Sequence, residues 1–89
     1  MNIVVRYFAS VREKLGEREL IDLSAISEPS LPRTVGELHT WLTQRSPEHA
    51  AALHEDKGLR TAFNQTLCAA DQPLVEGAEV AFFPPVTGG

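Results

Sequence analysis

Glu79-Val80-Ala81-Phe82-Phe83-Pro84-Pro85-Val86-Thr87-Gly88-Gly89 closes the chain, and its reading governs the rest. The first five residues carry the β-branched and aromatic side chains of a strand. Pro84 and Pro85 cannot donate ladder hydrogen bonds, so the strand stops there and the chain continues extended. Four residues follow, and at about 3.3 Å each they reach roughly 13 Å, far enough to enter a neighbour's pocket. Gly88 and Gly89 have no β-carbon, so such an end can pass through a narrow channel. The expected organisation is one folded body over residues 1–85 and a flexible Gly-Gly tail over 86–89.

A final strand needs partners. Ile3 to Ala9 alternates, with Ile3, Val5 and Tyr7 on one face and Val4, Arg6 and Phe8 on the other. A second strand is expected at Glu19 to Leu23, joined to the first as a hairpin through Gly16. Ser24 to Arg33, with Pro29, Pro32 and three serines, reads as a connection. Thr34 precedes Glu37 by three, the capping-box spacing, and Val35, Leu38, Trp41 and Leu42 recur at helical intervals down to Arg45. Pro47 ends that helix, and Glu48 to His54 can add a short second one. Strand texture returns over Leu59 to Asn64 and Thr66 to Ala69. The order predicts an α+β fold, a mixed sheet of four to five strands on one main helix. The first and last strands can then pair in parallel at its centre.

Size and charge narrow the function. A chain of 89 residues buries only about 60 to 65% of its unfolded surface, too little for a deep enclosed active site. The net charge of -4 argues against nucleic acid and anionic lipid and suits a partner with a positive surface. No basic leader with a long apolar run opens the chain, and no stretch reaches about 18 apolar residues, so no membrane is expected and the cytoplasm is the expected location. Cys68 is the single cysteine, which rules out an internal disulfide and a cysteine-based zinc site. No metal is expected.

The group left for chemistry is the terminal carboxylate of Gly89. A carboxylate is a poor electrophile, because its charge repels nucleophiles and oxide leaves badly. An acyl-adenylate makes AMP the leaving group, and a sulfur nucleophile on another protein can displace it to leave a thiocarboxylate. The chain has no Gly-x-x-x-x-Gly-Lys-Ser/Thr loop, so it binds no cofactor itself and a partner enzyme must use the ATP. By itself the Gly-Gly dipeptide is more often a frayed end than a reactive one.

The residues before it change that balance. Asn64-Gln65-Thr66-Leu67, Pro73-Leu74 and the run Gly77 to Gly89 resemble the C-terminal third of the small subunit of molybdopterin synthase, the ubiquitin-like molybdopterin sulfur-carrier family. Val5-Arg6-Tyr7-Phe8-Ala9 with Arg12-Glu13 resembles its first strand. The resemblance implies a ubiquitin-like β-grasp fold. It implies that Gly89 is adenylated by an E1-like activating enzyme and receives sulfur from a donor protein. As a 1-thioglycine it then donates that sulfur to a cyclic pyranopterin precursor, forming the molybdopterin dithiolene of the molybdenum cofactor. Gly88 gives clearance within the large synthase subunit, in an assembly that the family usually builds as a heterotetramer. Phe8, Leu67 and Phe83 are the implied docking surface, with Pro84, Pro85, Val86 and Thr87 continuing it. Ser24 to Arg33 is longer than in short family members. On this reading the chain is no enzyme on its own.

Two rivals remain: a sulfur carrier for thiamine, cysteine or tRNA thiolation, and a β-grasp interaction module with an inert tail. Other residues are expected to be structural. His39, His49 and His54 read as exposed or capping, Trp41 as core, Cys68 as packing and Asn64 as a backbone brace. Glu13, Glu17, Glu19, Asp22, Glu55 and Asp56 read as solvated surface.

Overall fold

Alternation in the first strand decides where the core lies. The computed structural model describes residues 1–54 and 57–85. In it β1 (Asn2–Tyr7) buries Ile3, Val5 and Tyr7 almost completely and leaves Val4 and Arg6 on the opposite face. β5 (Glu79–Phe83) lies parallel to β1 in the register Val5↔Val80 and Tyr7↔Phe82. Val80 and Phe82 therefore join the same buried face. β2 (Arg18–Asp22) pairs antiparallel with β1, and β3 (Arg60–Phe63) antiparallel with β5 and with the short β4 (Thr66–Leu67). The sheet order β2-β1-β5-β3-β4, parallel only at its centre, is the ubiquitin-like β-grasp expected from the sequence.

Among the described residues, three α-helices and a short 3-10 turn at Leu23–Ala25 lie over the buried face. α2 (Val35–Thr43) starts where Thr34 accepts a hydrogen bond from the Glu37 N–H at 3.2 Å, while Glu37 accepts one from the Arg33 N–H at 2.8 Å. It presses Val35, Leu38 and Leu42 onto the sheet, each worth about 1.5–3 kcal/mol when fully buried. α3 (Pro47–Leu53) is capped by Ser46 and adds Ala52 and Leu53. Pro47 is its first residue, where a missing N–H is harmless; α2 has already ended at Thr43.

The direct β1–β2 hairpin is corrected. The strands do pair, but α1 (Ala9–Leu15) intervenes, and Gly16, at φ 92°, closes it by donating to the Arg12 carbonyl. With Val11 its one buried residue and no side-chain cap, it has no amphipathic repeat to read. Packing against α3 and the sheet holds it. Trp41, expected in the core, is half-buried and packs against the core's rim, its ring lying 5.1 Å from the Arg45 guanidinium.

Candidate functional site

The face that the helices leave open is built by the same parity that built the core. Phe82 is fully buried, so its neighbour Phe83 points the other way and is half-exposed. Tyr7 is buried, so Phe8 turns outward as the chain leaves β1, its N–H donating to the Phe82 carbonyl at 3.3 Å. Leu67, at the β4 edge, is 65% exposed. Between these bulky residues the register sets Ala62 against both Ala81 and Leu67. Small side chains in the middle and large ones around them make a shallow apolar groove.

Two features fix the groove's edge. Asn64 and Gln65 turn the chain between β3 and β4 with φ of 49° and 71°, the left-handed pair of a tight hairpin. Asn64 also braces β5: its side-chain oxygen accepts from the Glu79 N–H at 2.9 Å and its own N–H donates to the Glu79 carbonyl at 2.8 Å. The bracing role expected for Asn64 is met. At the other border Arg6 lies 5.2 Å from the Phe8 ring centroid and 3.8 Å from a Glu79 carboxylate oxygen.

The structure thus brings Phe8, Leu67 and Phe83 around one groove and lets the chain leave the central strand beside them. Half-buried Pro84 shares a separate shallow pocket with Val11, Ala52 and Leu59, and Pro85 is exposed. Val86, Thr87, Gly88 and Gly89 lie outside the described residues, as do Glu55 and Asp56.

On the helix side the structure gathers a polar cluster that was not expected. Glu19 is not free surface: it accepts from the Tyr7 hydroxyl at 2.6 Å and from Arg45 at 2.6 Å, and lies 2.9 Å from His49 Nε2. Burial opposes its charge, but the bonds from Tyr7, His49 and Arg45 outweigh that and hold its carboxyl below the usual range. Burial, reinforced by Glu19, raises the Tyr7 hydroxyl far above its ordinary value, so it acts as a donor and not as a base. His49 also reaches Ser46 Oγ through Nδ1 at 2.8 Å. His39 is not exposed either, but it meets the capping half of its expectation at the last carbonyl of α3. It is half-buried, its Nε2 2.6 Å from the Leu53 carbonyl and its ring 5.2 Å from Phe82. Sequence gives no signal for this cluster, because Glu19 stands 12, 26 and 30 positions from its partners.

Cys68 is half-buried against the core, its thiol 3.6 Å from Thr61 Oγ1. Among the described residues no group of three or more His, Cys, Asp or Glu is placed to hold a metal, and no helix is long and apolar enough to cross a membrane.

Residues 5–89 match the model of the ThiS family. The chain is 46% identical over 87 residues to the molybdopterin synthase sulfur carrier subunit of Escherichia coli K12, covering 98% of this chain and 99% of that one. It is 42% identical over 72 residues to the protein of the same name from Haemophilus influenzae, covering 81% and 88%. Among solved structures it resembles a complex of subunits 1 and 2 of the molybdopterin-converting factor from Helicobacter pylori. There the TM-score is 0.64 at 26% identity, over the full length of both chains.

Proposed function

The chain belongs to the ThiS family, and on that footing we propose that it is the sulfur-carrier subunit of a molybdopterin synthase, working in the cytoplasm in molybdenum-cofactor synthesis. One observation carries the reading. The central strand β5 ends at Phe83, on the edge of a groove made with Phe8 and Leu67, so a protein seated on the groove lies within reach of a terminal segment of a few residues at about 3.3 Å each. The names of the two curated relatives support the same role.

The chemistry then belongs to Gly89. An E1-like enzyme joins its carboxylate to the AMP portion of ATP and releases pyrophosphate. A persulfide sulfur held by a donor protein displaces AMP to form an acyl disulfide, and a second thiol cleaves its S–S bond, which frees the terminal thiocarboxylate and leaves a disulfide on the donor side. The thiocarboxylate sulfur is softer and more nucleophilic than oxygen, and its transfer to the pyranopterin precursor returns a carboxylate, with oxygen supplied by water. Two deliveries build one dithiolene. Phe8, Leu67 and Phe83 dock the activating enzyme and the large synthase subunit in turn, Pro84 to Thr87 direct the tail, and Gly88 gives clearance. This chain supplies position and cargo, and its partners supply catalysis, with two carriers serving two large subunits.

The test is the intact mass of the chain after incubation with ATP, a sulfur donor and the activating enzyme of a molybdopterin pathway, beside a copy lacking Gly89. A gain equal to sulfur replacing one oxygen, present only in the full chain, is expected. No gain under conditions that convert a known carrier would favour an interaction module with an inert tail.

A further inference from the structure

The open sheet face has a charge pattern opposite to that of the whole chain. Its outward positions include Arg18 on β2, Arg6 on β1 and Arg60 on β3, set there by the pairings Arg6↔Arg18 and Arg60↔Phe83. The chain as a whole carries twelve acidic residues against eight basic ones. Around the aromatic groove, however, the acidic residue is Glu79, which already lies 3.8 Å from Arg6; Asp22, at the far corner of β2, is bonded to Ser24. α2 and α3, which carry Glu37 and Glu48, cover the other side of the sheet.

Two details make this more than scattered surface charge. Arg6 and Arg18 are direct cross-strand partners, and like charges in that position repel. Glu79 relieves Arg6, but among the described residues neither Arg18 nor Arg60 makes an ion pair or a side-chain hydrogen bond. The two unpaired arginines also flank the apolar centre. β2 and β3 are three strand spacings apart in the sheet order, about 14 Å at about 4.8 Å per spacing.

We propose that this face docks on a protein surface with an apolar centre flanked by two carboxylate clusters about 16 Å apart, one meeting Arg18 and one meeting Arg60. The separation exceeds the strand spacing alone because Arg18 is level with Ala62 and Arg60 stands two residues from Ala62 along β3. The proposal rests on the docking role given to Phe8, Leu67 and Phe83, and adds the partner's chemistry and the source of its orientation. A protein fits better than a polyanion. The centre of the face is apolar, and the surrounding chain, at net charge -4, repels nucleic acid and anionic lipid. Charges at both flanks of an apolar patch also fix how the partner sits, which a greasy groove alone does not.

The experiment measures binding of the full chain to the large molybdopterin synthase subunit encoded in the same genome, at low and high salt. It compares wild type, Arg18→Glu/Arg60→Glu and Leu67→Asp, with circular dichroism to confirm folding of each. The expected result is binding weakened at least about tenfold by the double reversal, with the wild type's loss of affinity in salt abolished, and binding removed by Leu67→Asp. If Leu67→Asp prevents binding but the double reversal binds like wild type at both salt levels, the arginine proposal falls and the docking groove stands. If wild type does not bind, both fall. If instead the chain self-associates and the double reversal makes it monomeric, a second copy occupies the face and the proposal is overturned.

Discussion

The Tyr7 hydroxyl and the Glu19 carboxylate meet at 2.6 Å between neighbouring strands, under the end of α2 and the start of α3. Glu19 is the hub, because Arg45 and His49 bind the same carboxylate. A partly buried anion with three donors is stable only while charged and fully partnered. This brace ties both strands to the loop between the helices and holds β1 in place on the groove's underside.

The first prediction concerns acid. Glu19 has a carboxyl held below its unfolded value, so its contribution is full above the unfolded carboxylate range and is lost as pH falls through the lower folded value. Thermal melts of wild type should lose stability in acid, and Glu19→Gln should flatten that limb while costing about 2 kcal/mol near neutrality. An unchanged acid limb in the variant would show that other carboxylates govern it.

The second concerns Gly36, in the first turn of α2. A β-carbon there would lie 2.9 Å from Ala70 Cβ and 3.0 Å from its carbonyl oxygen, and the Gly36 N–H donates to that carbonyl at 2.8 Å. Helix propensity favours alanine by about 1 kcal/mol, but overpacking against backbone costs about 1–3. Gly36→Ala should therefore destabilise in urea titration. A rise in stability would mean that the Ala69–Gln72 turn yields freely.

Some of this was legible in the sequence and some was not, for physical reasons. Ile3, Val5 and Tyr7 alternate without interruption, and Phe82-Phe83 ends a strand at two prolines, so the buried and open faces follow from parity. Thr34 and Glu37 announce α2 because capping is local. α1 was invisible, since one buried valine gives no period, and Pro47 marks both a stop and a start. Glu19 is misread, and the contacts that half-bury His49 and His39 are missed beyond their capping roles, because Glu19 lies 30 positions from His49 and Leu53 lies 14 from His39. Alternation placed Arg6 on the open face, but Arg18 and Arg60 were hidden, because only strand register sets them on the same face at its two flanks.

The third prediction uses the strain in the Asn64-Gln65 turn. Gln65 has φ 71°, a conformation that glycine adopts without penalty and other residues pay about 1 kcal/mol to hold. Gln65→Gly should raise the melting temperature by a few degrees. Gln65 also lines the groove, so the same change should weaken binding of the large subunit, a trade of stability for docking. A variant both more stable and equally well bound would remove Gln65 from the docking surface.

Phe82 and Phe83 provide the last prediction, because they are adjacent and face opposite ways. Phe82 is fully buried, with the Tyr7 ring 6.5 Å away and His39 at 5.2 Å, so Phe82→Ala should cost about 3–5 kcal/mol and can unfold so small a domain. Phe83 is half-exposed at the groove's edge, so Phe83→Ala should leave the melting temperature within a few degrees of wild type. Its loss should appear in binding, where an aromatic anchor at the centre of an interface is worth about 2 kcal/mol or more. Denaturant titration and calorimetric binding to the large subunit separate the two effects. Phe83→Ala losing stability as Phe82→Ala does would make it a core residue and leave the groove without its anchor.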